Sequence, residues 1–205
     1  MSDTTSALRE SGHVPGAHIA DPAPLGLGAF ALTTFVLSMV NSDIVPQALV
    51  GGALGLALAY GGIAQFTAGV WEFAKGNTFG ATAFCSYGGF WISFWWLTGH
   101  TDLSGAGSEV NQGLGTYLLA WGIFTAYMSV AAVKVNMAVL TVFVLLTITF
   151  VILAIGWFDQ ESSGWIKLGG YLGLLTAIAA WYASFAGVTA FTWGRQVFPV
   201  GAPRE

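Results

Sequence analysis

Six runs of about twenty mostly apolar residues, separated by short connectors, dominate this sequence. They lie at roughly Leu25–Ser42, Ile44–Trp71, Phe79–Thr98, Gly113–Val133, Val135–Gly156 and Ile166–Trp193. An α-helix rises 1.5 Å per residue, so about twenty apolar residues cover a hydrocarbon core of ~30 Å. Inside lipid every backbone polar group must be satisfied within the protein, which an unbroken helix achieves by itself. The expected fold is therefore all-α, a polytopic membrane protein with six transmembrane helices. Charge supports this: 8% of residues are charged, against about 25% in soluble domains. Residues 21–196 read as one membrane domain. Residues 1–20 are polar, lack the apolar core of a signal peptide, and are expected to form a disordered cytoplasmic tail, with 197–205 a second short tail.

The few charges orient the chain. With six spans, Arg9, Lys75, Lys134, Arg195 and Arg204 share the side of the termini and Lys167 alone faces the other. Cytoplasmic loops carry the excess of Lys and Arg, so both ends are expected in the cytoplasm of a cell (inner) membrane. Asp43, Asp102, Glu109, Asp159 and Glu161 collect on the opposite face. Asp21, ahead of Pro22 and Pro24, reads as an N-cap, followed by first-turn prolines that lack the orphaned N–H. Trp71, Trp91, Trp95, Trp96, Trp157, Trp165 and Trp193 lie near predicted ends and read mostly as interfacial anchors. Small residues recur every three or four positions in the second helix and in the sixth (Gly169, Gly173, Ala177, Ala180). They suit close packing, either within one protomer or between protomers.

Several chemistries are missing. Of three histidines, two lie in the tail and one, His100, in a loop; Cys85 is the single cysteine. No metal site, cofactor or nucleic-acid partner is expected, and no nucleophile motif points to an enzyme. No carboxylate sits mid-span: Asp43 and Glu72 fall at helix ends, where Glu72 and Lys75 form a candidate ion pair at the mouth. The interior instead carries uncharged polar groups. Phe30, Thr34, Ser38 and Asn41 share one face of the first helix, and Thr82, Ser86, Gly89 and Ser93 one face of the third, with Tyr87 beside it. Gln65 is an isolated amide in the second. Uncharged hydroxyl faces suit a path for a small polar solute, which must bind weakly enough to leave.

Sequence blocks then become specific. Asp21, Pro22, Ala23, Pro24, Leu25, Gly26 and Leu27 read DPAPLGL and open the first helix. ALTTFVLSMVN, YGGIAQFTAG, KGNTFG (Lys75–Gly80), FCSYGGFW (Phe84–Trp91), YLLAWGIF and a terminal FPVG follow. Together these resemble the acetate uptake transporter family, which includes the succinate–acetate permeases and has NPAPLGL as its signature. The resemblance implies a six-helix protomer, a hexameric homo-oligomer in the lipid bilayer, and passage of acetate, in some members succinate, either coupled to protons or channel-like. It implies an apolar constriction at Phe30, Tyr87 and a leucine on the fifth helix, Leu146 or its neighbour Leu145. Gln65 falls on the family's substrate path, and Thr34, Ser38, Gln65 and Ser86 are the expected hydrogen-bond partners of the carboxylate. The alternative is a channel for a neutral solute such as urea or ammonia. Asp21 replaces the signature asparagine and is expected to place a negative charge at the cytoplasmic mouth.

Overall fold

A computed structural model describes residues 19–107, 109–160 and 162–201. Most of the expected N-terminal tail, Glu161 and residues 202–205, with Arg9 and Arg204, lie outside the described residues. Six long helices cross the bundle: α1 (Ala23–Asn41), α2 (Gln47–Lys75), α3 (Thr78–Gly99), α4 (Glu109–Ala132), α5 (Met137–Phe158) and α6 (Ser163–Trp193). α6 packs against α1 and α5, α4 against α5, and the second half of α2 against α3. The chain is a multi-pass membrane protein.

Five of the six helices are apolar enough to span a bilayer by length and composition alone; α3 is the exception. Its 22 residues are long enough, but glycines, serines and rings with polar handles lower its mean hydropathy. Its buried residues include Ala81, Ala83, Phe84, Tyr87, Gly88, Phe90 and Trp91. α5, of the same length, has a best window of mean hydropathy 2.9.

The boundaries differ from expectation where local chemistry intervenes. α2 begins at Gln47, not Ile44, because the chain turns through Asp43 (φ 59°) and Pro46 precedes the first turn. It runs past Trp71 to Lys75, where Gly76 adopts the left-handed conformation (φ 82°). The Gly76 N–H donates to the Phe73 carbonyl and the Asn77 N–H to the Glu72 carbonyl, at 3.0 and 2.9 Å, closing a Schellman stop. α4 takes in Glu109–Gln112, with Glu109 in its first turn, where the helix dipole favours an acid. Pro22, not Asp21, occupies the cap position of α1; the Asp21 carboxylate accepts the Ala23 N–H at 3.2 Å.

Both described ends lie at one pole of the bundle. Asp21, before α1, meets Lys75, at the end of α2. Val200 accepts the Ala138 N–H at the start of α5, and Tyr182 donates to the Pro199 carbonyl. The opposite pole carries an Asp43–Lys167 ion pair at 2.8 Å. The small-residue stripe of α6 acts within the protomer: Gly169, Gly170, Gly173, Ala177 and Ala180 are buried. A Cβ at Gly173 would collide with the Ser38 hydroxyl, so α1 and α6 approach this closely only because the residue is glycine.

α2 is not a uniform helix. Its buried positions Ala53, Ala57, Gly61 and Gln65 repeat every four residues. An α turn holds 3.6, so such a stripe drifts about 40° per step. A π turn at Ala59–Ala64 takes up that drift. Such turns recur at functional sites, and here the turn delivers Gln65 to the interior.

Candidate transport path

Two cavities lie along the bundle axis. The outer one, of about 240 Å³, extends toward the pole of the Asp43–Lys167 pair, between the ends of α1 and α3 and the starts of α2 and α4. The inner one, of about 20 Å³, lies toward the pole of the chain ends. A single water needs roughly 10–15 Å³ of such space. The inner void therefore holds about one water, whereas the outer cavity accommodates a small solute with its hydration.

Phe30 and Leu146 line both cavities and so stand between them. Tyr87 and Gln65 line the inner void. The Tyr87 ring lies 5.7 Å from that of Phe30, and its hydroxyl shares a 2.9 Å hydrogen bond with Thr125. Phe124 and Phe143 also hold the Tyr87 ring, by edge and tilted contacts at 5.5 and 6.0 Å. Of the two candidate leucines, Leu146 is buried and faces the path, while Leu145 lines neither cavity.

Thr34 and Ser38 line the outer cavity. Ser86 is half-buried and lines neither, so the structure does not bring it to the path. The cavity gains residues that the sequence did not single out as contacts: Thr149 on α5, Tyr117 on α4, and Phe90 and Trp91 on α3. Trp91 is a correction, since a ring read as an interfacial anchor is 3% exposed inside the bundle. Thr149 is one of three threonines in α5, with Thr141 and Thr147, so its hydroxyl alone did not mark it. Its hydroxyl donates to the Leu145 carbonyl at 2.8 Å and lies 3.3 Å from that of Thr176.

Three buried polar atoms of cavity-lining residues have no partner among the described residues: the Thr34 hydroxyl, the Trp91 indole nitrogen and the Gln65 amide oxygen. Such orphans are rare in native interiors and mark places where water or a ligand completes the hydrogen bonding. None of the residues lining either cavity is charged. Among the described residues no group of three His, Cys, Asp or Glu side chains converges as a metal site.

Charges gather at the poles. Lys75 pairs with Asp21 at 2.7 Å, not with Glu72 as expected. The carboxylate that replaces the signature asparagine is thereby matched by an ammonium, which offsets the negative charge expected at the mouth. Glu72 instead turns inward and is fully buried. At the far pole the Lys167 ammonium holds the Asp43 carboxyl below its ordinary range, and the Ser104 hydroxyl and N–H do the same for Asp102.

A multi-pass helical bundle with uncharged cavities inside a single chain has the architecture of a membrane transporter or channel. A sequence profile of the GPR1/FUN34/yaaH family matches residues 6–199, and the chain belongs to that family. It is 39% identical over 183 residues to the succinate-acetate/proton symporter SatP of Escherichia coli K12, covering 89% of this chain and 96% of SatP. It is 43% identical over 182 residues to ammonia transport outward protein 2 of Saccharomyces cerevisiae, covering 85% of this chain but 63% of that longer protein. The structure of the bacterial acetate channel SatP superimposes with a TM-score of 0.81 at 39% identity, covering 89% of this chain and 99% of that one. The motif resemblance and the fold thus agree on the family.

Proposed function

We propose that this chain carries acetate and related small carboxylates, succinate among them, across the bilayer through a path within each protomer. The observation that carries this reading is the set of unpartnered polar atoms beside an uncharged route. The Trp91 N–H is a donor only and the Thr34 hydroxyl donates as readily as it accepts, so together they suit an acceptor such as a carboxylate oxygen. The rings of Phe30 and Phe90 suit its methyl group. Neutral donors bind an anion less tightly than a guanidinium would, which favours passage over trapping.

Phe30, Tyr87 and Leu146 form the proposed constriction. A neck this narrow and apolar excludes water when unoccupied. A bare carboxylate pays heavily to leave water, whereas the protonated acid avoids most of that penalty. Proton and anion therefore cross together, and uptake rises as external pH falls. The basic residues Lys75, Lys134 and Arg195 at the pole of the chain ends support a cytoplasmic side for that pole. The outer cavity then faces the exterior. The apolar outer faces of α4 and α6, with Val130 and Phe191 strongly exposed, support burial in lipid and in the hexamer that the motifs imply.

The uncharged path and the yeast relative named for ammonia transport favour one second reading, a channel for ammonia. Proteoliposomes loaded with a pH dye and given labelled acetate or ammonia at the outside separate the two. Acetate accumulation that increases with an inward proton gradient supports the carboxylate reading. Ammonia flux above protein-free vesicles, with no acetate uptake, would replace it.

A further inference from the structure

Glu72 is the one fully buried carboxylate among the described residues, with 0% exposure, and the path described above makes no use of it. Its Oε2 accepts a 2.9 Å hydrogen bond from the Asn77 side-chain amide. Its Oε1 has no partner. No ammonium or guanidinium of the described residues makes an ion pair with it, because Lys75, one turn away, is held by Asp21. A carboxylate charge buried in this way is compensated by one neutral amide and the start of α3, less than a buried ion requires.

The position of the carboxyl matters as much as its burial. It rests against Gly80: a Cβ there would lie 2.8 Å from Cδ and 2.9 Å from Oε1. Ala83 and Phe84, one turn further along α3, line the inner void. Glu72 thus packs against the turn of α3 that precedes the void's lining, two turns beyond Gln65 on α2. It also continues the buried face of α2 through Gln65, Ala68 and Gly69. The charged groups that reach it are Asp21, before α1, and Lys75, on its own helix; α3 contributes Asn77 and Gly80, which do not titrate.

We propose that Glu72 is the proton-binding site of coupled transport, taking the proton of the arriving carboxylic acid and releasing it to the cytoplasm. In the handover the O–H bond of the acid breaks and one forms on Glu72, so the substrate leaves as the anion. The Glu72 O–H bond then breaks to inner water, and one proton has crossed with each carboxylate. The inference rests on the carboxylate reading above.

Glu72→Gln tests it, because glutamine keeps the shape and the oxygen that accepts from Asn77 but carries no exchangeable acid proton. If Glu72 only braces the Asn77 cap, the variant behaves as wild type. The proposal expects acetate–acetate exchange within about twofold of wild type, while accumulation driven by a proton gradient falls at least tenfold and its pH dependence flattens. Unchanged accumulation and pH profile in E72Q would overturn it. Absence of both exchange and uptake in wild type would instead sink the carboxylate reading itself. If E72Q does not fold, infrared difference spectra of wild type decide: a carboxylic-acid C=O band that responds to acetate supports the site, and its absence overturns it.

Discussion

The two halves of the path differ in kind. The outer half is a roomy cavity with hydroxyls, an indole N–H and stacked rings; the inner half is a void for about one water, pressed between Leu27, Phe84, Tyr87, Val142 and Phe143. Hydrogen-bonding chemistry is thus concentrated on one side of Phe30 and Leu146, and apolar closure on the other. Under the proposed function, this difference assigns recognition to the outer half and gating to the neck. On the proposed carboxylate reading, a solute gathers in the outer half and then crosses the neck at Phe30 and Leu146 toward Gln65. The arrangement described here is open on the recognition side and shut beyond the neck.

If that division holds, the largest effect comes from removing the neck. Leu146→Ala joins the two cavities, and flux of carboxylates larger than acetate, lactate for example, should rise several-fold in a vesicle uptake assay. The same change leaves a hole in the core and costs about 2–5 kcal/mol of stability, read by thermal unfolding in detergent.

A change in the outer half should act on affinity instead. Thr34→Val keeps the volume and removes an unpartnered hydroxyl. Half-saturation for acetate should rise about threefold to tenfold, the scale of one hydrogen bond. Stability should hold or increase, since no protein partner is lost. A loss of stability with unchanged affinity would mean that Thr34 supports the bundle and not the solute.

Tyr87→Phe sharpens the distinction on the inner side. It deletes the bond to Thr125 but leaves the ring that packs on Phe30. The expected loss is ~1 kcal/mol of stability with less than a twofold change in flux, because the ring and not the hydroxyl forms the neck.

The smallest effect lies at the outer pole. The Asp43 carboxyl is held below its ordinary value of 3.8 by Lys167. A lowered value in the folded state contributes stability above the unfolded value, and that contribution disappears as pH falls through the folded one. Asp43→Asn should therefore lower the unfolding temperature slightly at neutral pH and leave it unchanged in strong acid. Exposure of both partners keeps this effect small.

Much of the fold was legible from apolar run length and from the segregation of charge, because lipid leaves a chain few options. The neck residues Phe30, Tyr87 and Leu146 were reachable only through motif resemblance; composition alone reads such rings as packing. Trp91 and Thr149 were missed as cavity residues because the cavity is made by convergence of α1 to α5, and no single helix announces it. Ser86 was misplaced because sharing a helix face with other hydroxyls does not fix which neighbour that face meets. Glu72 sits at the end of an apolar run, where a carboxylate ordinarily reaches water. Only the turn through Gly76 and Asn77, folding α3 back over it, buries the group.

The central claim, that carboxylates pass through the neck of each protomer, is most directly tested by Leu146→Cys in a Cys85→Ser background treated with a small thiol-reactive reagent. The account predicts that labelling Cys at this position reduces acetate uptake into proteoliposomes at least tenfold, and that millimolar acetate slows the labelling. Complete labelling with unchanged uptake would contradict it and move the path outside the protomer.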